Sequence, residues 1–63
     1  MGPDGIRLGQ LLKLAGMVET GGAAKEVLEA GDVTVNGRRE ARRGAQLHPG
    51  DVVALHGHKV RVR

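Results

Sequence analysis

The segment VTVNGRREARR, residues 33–43, places four arginines within six residues, directly after an Asn-Gly pair. The four are Arg38, Arg39, Arg42 and Arg43. A guanidinium group is planar and donates two parallel hydrogen bonds, which suits phosphate oxygens. Exposed ion pairs with Glu40 would contribute only about 0 to 1 kcal/mol, so folding stability gives little reason for the cluster. The cluster is therefore predicted to contact a polyanion, and the alternative is a solvated loop that keeps the domain soluble.

The triplet Thr20-Gly21-Gly22 offers a second group of donors where a helix is predicted to begin. Two positions lack a Cβ, so a phosphate could approach the backbone N–H groups at the positive end of the helix dipole. Lys25, one turn further on, could add a charge. The alternative is that Thr20 only caps the helix and the glycines only make the connection flexible. A nucleotide-binding loop is not expected, because no strand precedes the glycines and no GxxxxGK motif is present.

Other chemistry is poorly supported by the composition. His48, His56 and His58 are close in sequence, but no cysteine or carboxylate cluster completes a four-ligand set, so no metal site is predicted. Ser, Cys and Tyr are absent, and no paired carboxylates beside a histidine suggest an acid and a base. We therefore expect no enzymatic activity, no cofactor and no small-molecule substrate.

Charge is distributed unevenly along the 63 residues. Residues 1–32 carry a net charge of −2 and residues 33–63 carry +5, which together give the overall +3. Such asymmetry in one small domain indicates a polyanionic partner, most often nucleic acid. The chain has no Phe, Tyr or Trp on which bases could stack, so recognition of a nucleic acid should depend on its shape and phosphates rather than on base sequence.

Periodicity predicts two short helices. Leu8, Leu11, Leu12 and Ala15 form the apolar stripe of a first helix that begins near Ile6, and Gly16 is a natural stop. The second helix should begin after Thr20, face Ala24, Val27 and Leu28 inward, and end at Gly31. Residues 1–5 contain Gly, Pro and Asp and are predicted to be a flexible tail, so that one domain spans residues 6–63.

After Gly31 the apolar period changes to two, which is typical of strands. Val33 and Val35 precede Asn36-Gly37, the strongest short-range signal for a type I′ hairpin turn, and the hairpin should continue to Glu40. Pro49-Gly50-Asp51 should turn the chain into a strand from Val52 to Leu55, and Gly57-His58 should turn it into a strand over residues 59–63. The expected fold class is α+β, with two short N-terminal helices packed on a small, mainly antiparallel sheet.

The pattern LLKLAGMVETGGAAKEVLEAGDVTVNG, followed by PGDVV, resembles the RNA-binding domain named after the fourth protein of the small ribosomal subunit, also described as an alpha-L motif. LLKLAG, GGAAK, Arg42-Arg43 and GHKVRV are closer still to its small stand-alone bacterial members, the YbcJ-like proteins. Larger relatives commonly carry arginine directly after the residue that opens the second helix. Here that position is Gly21, so RNA contacts of that arginine are not transferred.

The resemblance implies that the second helix, the exposed side of the first helix and the hairpin form an RNA-binding face. The predicted RNA-binding residues are Lys13, Thr20, Gly21, Gly22, Lys25, Asn36, Gly37, Arg38, Arg39, Arg42 and Arg43. Arg42 and Arg43 match basic positions of the stand-alone relatives and are favoured over Arg38 and Arg39. Lys59, Arg61 and Arg63 alternate with valines and are expected to form a solvated strand face.

The function predicted from the sequence is non-enzymatic binding of structured RNA, resembling ribosomal or transfer RNA, with the ribosome as a further expected partner. The apolar runs, such as Leu11-Leu12 and Val52 to Leu55, are too short to span a bilayer, so a cytoplasmic monomer without membrane contact is expected. Two alternatives remain open. One is a ribosome-associated protein-interaction module whose basic face is only solubilising, and the other is a general basic DNA-binding protein.

Overall fold

The computed structural model describes residues 5–63 as a small α+β fold with two helices and antiparallel sheets. The elements, in chain order, are β1 Ile6–Arg7, α1 Leu8–Leu14, α2 Gly21–Glu29, β2 Val33–Val35, β3 Arg38–Arg39, β4 Gln46–Leu47, β5 Val52–Leu55 and β6 His58–Arg61. Of the flexible tail expected over residues 1–5, only Gly5 lies within the described residues.

Thr20 caps the start of α2, and both helices end next to the glycines that were expected to stop them. Thr20 is extended and its side-chain Oγ1 accepts a hydrogen bond from the Ala23 N–H at 3.0 Å, so it caps α2. Gly16 and Gly31 follow the two helices with φ of +72° and +80°, values that glycine adopts with little strain. The prediction of an apolar stripe through Ala15 is wrong, because α1 ends at Leu14 and Ala15 is exposed.

The larger sheet has the strand order β3-β2-β5-β6, with every neighbouring pair antiparallel. The hairpin turn between β2 and β3 has positive φ at Asn36 and at Gly37, 54° and 82°, as a type I′ turn requires. The turn between β5 and β6 is formed by His56 and Gly57, one residue earlier than the sequence predicts, because His56 also adopts a positive φ of 50°.

A second sheet pairs β1 with β4, with Ile6 opposite Leu47 and Arg7 opposite Gln46. The prediction that the first helix begins near Ile6 is wrong at this point, because Ile6 and Arg7 form a strand and the helix begins at Leu8. This pairing ties the start of α1 to the end of the segment that carries the arginines.

One buried aliphatic cluster holds the elements together. It contains Leu8, Leu11 and Leu12 of α1, Ala24 and Leu28 of α2, and Val18, Val33, Leu47, Val53, Leu55 and Val62. Alternation along β2 and β5 directs Val33, Val53 and Leu55 into this cluster and Thr34 and Ala54 to the opposite side of the sheet. The larger sheet thus has a core face, whose side chains pack with those of the helices, and an outer face.

Candidate nucleic-acid interface

Three exposed cations line a shallow depression of about 300 Å³ on the helical side of the molecule. They are Arg7 from β1, Lys13 from α1 and Arg43 from the loop between β3 and β4. Gly21, the first residue of α2, lies in the same depression. Cationic side chains and the N-terminal end of a helix therefore meet on one concave surface, which is an arrangement that attracts phosphate. We call it the helical depression.

The backbone of the loop between β3 and β4 fixes Arg43 against α1. The Leu8 N–H donates to the Ala45 carbonyl at 2.8 Å, and the Gly9 N–H donates to the Arg43 carbonyl at 3.0 Å. The Arg7 side chain adds a hydrogen bond from Nη1 to the Gly44 carbonyl at 2.9 Å. The first N–H groups of α1 thus find partners in the loop, and the loop gains a fixed position over the start of the helix.

The absence of a side chain at Gly9 allows Arg43 to lie close to the helix. A Cβ built at Gly9 would stand 2.5 Å from Cγ of Arg43, closer than carbon atoms approach without a bond, and 3.3 Å from its Cδ. Gly9 is buried although it lies in a short helix, because the aliphatic stem of Arg43 covers it. Gly9 is therefore a residue that positions Arg43.

Arg42 is held differently from Arg43. Its Nε and its backbone N–H each contact Oε2 of Glu40 at 3.2 Å, while its own side chain is 81% exposed. The backbone N–H and then the side chain of Arg42 lower the pKa of Glu40 below its ordinary value. Glu40 thus holds the start of the loop between β3 and β4 in place and partly neutralises the charge of Arg42.

The predicted residues of α2 lie at and near its first turn. Gly21 lines the helical depression, whereas Gly22 and Lys25 are exposed residues that do not line it. Thr20 uses its Oγ1 for the cap, as the alternative interpretation requires. Capping leaves other N–H groups of the first turn free of α-helical partners, so capping and phosphate binding are compatible.

The predicted residues of the hairpin lie apart from the helical depression. Arg39 lies over the far end of α2, since a Cβ at Gly31 would be 3.0 Å from its Cδ. Arg38 is exposed on the edge strand β3. Asn36 donates through Nδ2 to Oδ1 of Asp51 at 3.0 Å and accepts through Oδ1 from the Val52 N–H at 2.9 Å. Asn36 and Gly37 therefore form the turn and attach it to the start of β5.

The structure thus brings together Lys13, Gly21 and Arg43 and places Arg38 and Arg39 elsewhere. Sequence analysis missed Arg7, which lines the helical depression because β1 pairs with β4. No local signal marks a strand of two residues, so only the tertiary pairing identifies this arginine. The Asp51 carboxylate, which accepts from Asn36 and from the His48 N–H, has a pKa below its ordinary value for that reason.

Residues 5–63 contain no group of three or more His, Cys, Asp or Glu side chains arranged to hold a metal ion. His56 instead contacts Asp32, with 3.0 Å between Nε2 and Oδ2. Nδ1 of His48 lies 3.9 Å from Oδ2 of Asp51. Neither helix in this part of the chain is long and apolar enough to cross a membrane.

The sequence is similar to a known domain family and to bacterial proteins. A family model described as S4 domain matches residues 2–63. A Bacillus subtilis protein named "Probable ribosome maturation protein RlbA" is 48% identical over 52 residues, which cover 82% of this chain and 73% of the relative. An Escherichia coli protein named "Putative RNA-binding protein YbcJ" is 39% identical over 57 residues, which cover 90% of this chain and 81% of the relative.

Proposed function

Because the chain belongs to the S4 domain family, we propose that it is a non-enzymatic protein that binds structured RNA through the helical depression. The observation that carries the proposal is the convergence of Arg7, Lys13 and Arg43 on the start of α2. The proposed chemistry is contact with phosphates and 2′-hydroxyls, because no aromatic side chain is present for base stacking.

We further propose the bounds of the domain, the residues that contact RNA and the type of RNA bound. Residues 6–63 form a single RNA-binding domain of the alpha-L type, in which α1, α2 and the β2–β3 hairpin contribute to RNA contact. Arg42, Lys25 and Gly22 extend the contact from the helical depression, and Arg38, Arg39 and Gly37 contribute at the edge of the hairpin. The domain acts as a cytoplasmic monomer on RNA with helices, loops or junctions, as found in ribosomal and transfer RNA.

The names of the two relatives support this proposal at different levels. RNA binding is in the name of the Escherichia coli protein, and ribosome maturation is in the name of the Bacillus subtilis protein. We accordingly propose ribosomal RNA as the first target to test. A protein partner on the ribosome is the competing possibility, in which case the cations would serve only solubility.

The test is binding of a fluorescently labelled ribosomal RNA hairpin to the wild type and to the double variant Lys13→Gln, Arg43→Gln. The double variant should bind at least about tenfold more weakly, because charge-assisted hydrogen bonds contribute about 1.5 to 3 kcal/mol each. If the wild type neutralises about five phosphates, log affinity should fall with log salt at a slope of about −3.5 to −4.5.

Arg63→Gln is the control for the loss of a single positive charge, to be compared with Arg43→Gln alone, because Arg63 is exposed and does not line the helical depression. Binding of duplex DNA at the same salt concentration tests the DNA alternative. Equal affinity of the double variant and the wild type for the hairpin would rule out the helical depression as the site. A salt slope near zero would rule out phosphate contact altogether.

A further inference from the structure

The outer face of the larger sheet carries cations on a side of the molecule that the helical depression does not include. Register places Arg39, Thr34, Ala54 and Lys59 in one row across all four strands, because Thr34 pairs with both Arg39 and Ala54, and Ala54 pairs with Lys59. The next row along β5 pairs Val52 with Arg61. Between these two rows lies the row of Val35, Val53 and Val60, whose side chains belong to the core face.

The outer face has small side chains in the middle and cations at both edges. Lys59, Arg61 and Arg39 are exposed on the edge strands, whereas Thr34, Ala54 and Val52 are small or medium-sized and half-buried in the central strands. Neighbouring strands lie about 4.8 Å apart, so the backbones of Arg39 and Lys59 are separated by about 14 Å across the row. Cations on long side chains thus stand on either side of a shallow platform.

Little on this face opposes the positive charge. None of the paired residues on the outer face is acidic. Asp32 directly precedes β2, and the same alternation places it on the outer face. Its Oδ2 lies 3.0 Å from Nε2 of His56. The guanidinium of Arg39 lies against Gly31, since a Cβ built at Gly31 would be 3.3 Å from its Nη1.

The side chains favour nucleic acid over a protein partner. Protein interfaces are centred on buried aromatic, methionine or large aliphatic side chains, and the platform has only a threonine, an alanine and a valine. A-form RNA presents a wide, shallow minor groove with 2′-hydroxyls between two phosphate strands, and a platform of small side chains with flanking cations fits that shape. The absence of aromatic rings on the platform argues against single-stranded RNA, which is usually held by stacking.

We infer that the outer face is a second RNA-contact surface, so that one chain joins two helical segments of structured RNA, one at the helical depression and one across β3-β2-β5-β6. The inference rests on the proposed function, since it assigns a second site to the same class of ligand. Lys59 and Arg61 are its principal contacts, and Arg39 is the contact at the opposite edge.

The experiment uses the full chain and two samples of one RNA duplex, labelled with a donor and with an acceptor dye. Energy transfer reports two duplexes held by one complex, and anisotropy of a single labelled sample reports simple binding. The variant Lys59→Gln, Arg61→Gln tests the outer face. Its matched control is Lys59→Arg, Arg61→Lys, which keeps both charges at the same positions.

The wild type and the charge-preserving control should give energy transfer when protein and duplexes are equimolar. The glutamine variant should bind a single duplex within about threefold of the wild type, because its lost charges act on the first site only through the screened field. Its energy transfer should fall to the background of duplex alone. This combination would establish two sites on one chain.

Three outcomes would overturn the inference. Binding of single duplexes by the wild type without energy transfer would leave the proposed function intact and remove the second site. Energy transfer that persists in the glutamine variant would mean that the bridge is made elsewhere, for example by association of two chains. Failure of the wild type to bind any duplex would remove the second site, and the hairpin experiment described above would then decide the proposed function by itself.

Discussion

Gly9 and Arg43 form the closest approach within the proposed RNA site. Gly9 has helical backbone angles, so alanine fits its conformation and would favour the helix by up to about 1 kcal/mol. The new Cβ would, however, collide with Cγ of Arg43, so the Arg43 side chain must rotate about its Cα–Cβ bond to relieve the contact. The substitution should therefore change the direction of Arg43 more than it changes the stability of the fold.

We expect Gly9→Ala to weaken binding of the ribosomal RNA hairpin about as much as Arg43→Gln does, while the free energy of unfolding changes by less than about 1 kcal/mol. A double-mutant cycle measures whether the two residues act together. Gly9→Ala should cause no further loss of affinity when Arg43 is already glutamine. Additive losses would show that Gly9 acts on RNA binding by another route.

Arg42 and Glu40 show why the number of arginines in the sequence overstates the positive charge that is available to bind phosphate. The segment ARR contributes two arginines to the predicted site, but Glu40 contacts Arg42 through both its backbone and its side chain. The lowered pKa of Glu40 means that its carboxylate stays ionised until the pH falls below the ordinary glutamate value. The contact with Arg42 is therefore present at neutral pH and is lost only in acid.

At the scale of elements, the β2–β3 turn is attached to β5 by one side chain. Asn36 bonds to Asp51 and to the Val52 N–H, and it adopts a positive φ that asparagine tolerates better than most residues. Asn36→Ala would lose both hydrogen bonds and keep the strained φ. Asn36→Gly would lose the hydrogen bonds and relieve the strain.

We therefore expect Asn36→Ala to lower the free energy of unfolding by about 1 to 3 kcal/mol and Asn36→Gly to lower it by less, as measured by urea unfolding. The pKa of Asp51 should rise in both variants, because the Asn36 amide is the largest cause of its low value. Titration followed by NMR of the Asp51 side chain measures the shift. An unchanged Asp51 pKa in Asn36→Gly would contradict this account of the turn.

The sequence predicts elements well where a local signal exists. Thr20 at a helix start, Gly16 and Gly31 at helix ends, and Asn36-Gly37 in a hairpin each carry a backbone preference that acts within a few residues. The pairing of β1 with β4 has no such signal, because each strand has two residues and the partners are distant in sequence. The positive φ of His56 likewise depends on the tertiary structure, because a histidine in the sequence does not by itself predict this conformation.

The same limit applies to the candidate site. Arg43 and Gly21 are conspicuous in the sequence because of the arginine cluster and the paired glycines. Their closeness to Lys13 and Arg7 depends on how the loop between β3 and β4 crosses α1. The register of β3 places Arg39 elsewhere. Sequence therefore identifies the type of chemistry and several of the residues, whereas the fold decides which cations share a surface.

At the scale of the whole molecule, the positive charge is divided between two sides. The helical depression gathers Arg7, Lys13 and Arg43, and the outer face presents Arg39, Lys59 and Arg61. The aliphatic cluster lies between the helices and the sheet and holds the two surfaces in a fixed relation. The two surfaces can be tested separately by substitution, since Lys13 and Arg43 belong only to the first and Lys59 and Arg61 only to the second.

The loop carbonyls that accept from the Leu8 and Gly9 amides couple the opening of the first turn of α1 to the release of the loop. An α-helix of seven residues has little strength of its own, so its opening frees the loop that carries Arg43. Bound RNA should immobilise that loop, and exchange of the Leu8 and Gly9 amide hydrogens with deuterated solvent should slow in the complex. Unchanged exchange at these two amides would mean that Arg43 is held equally well without its ligand.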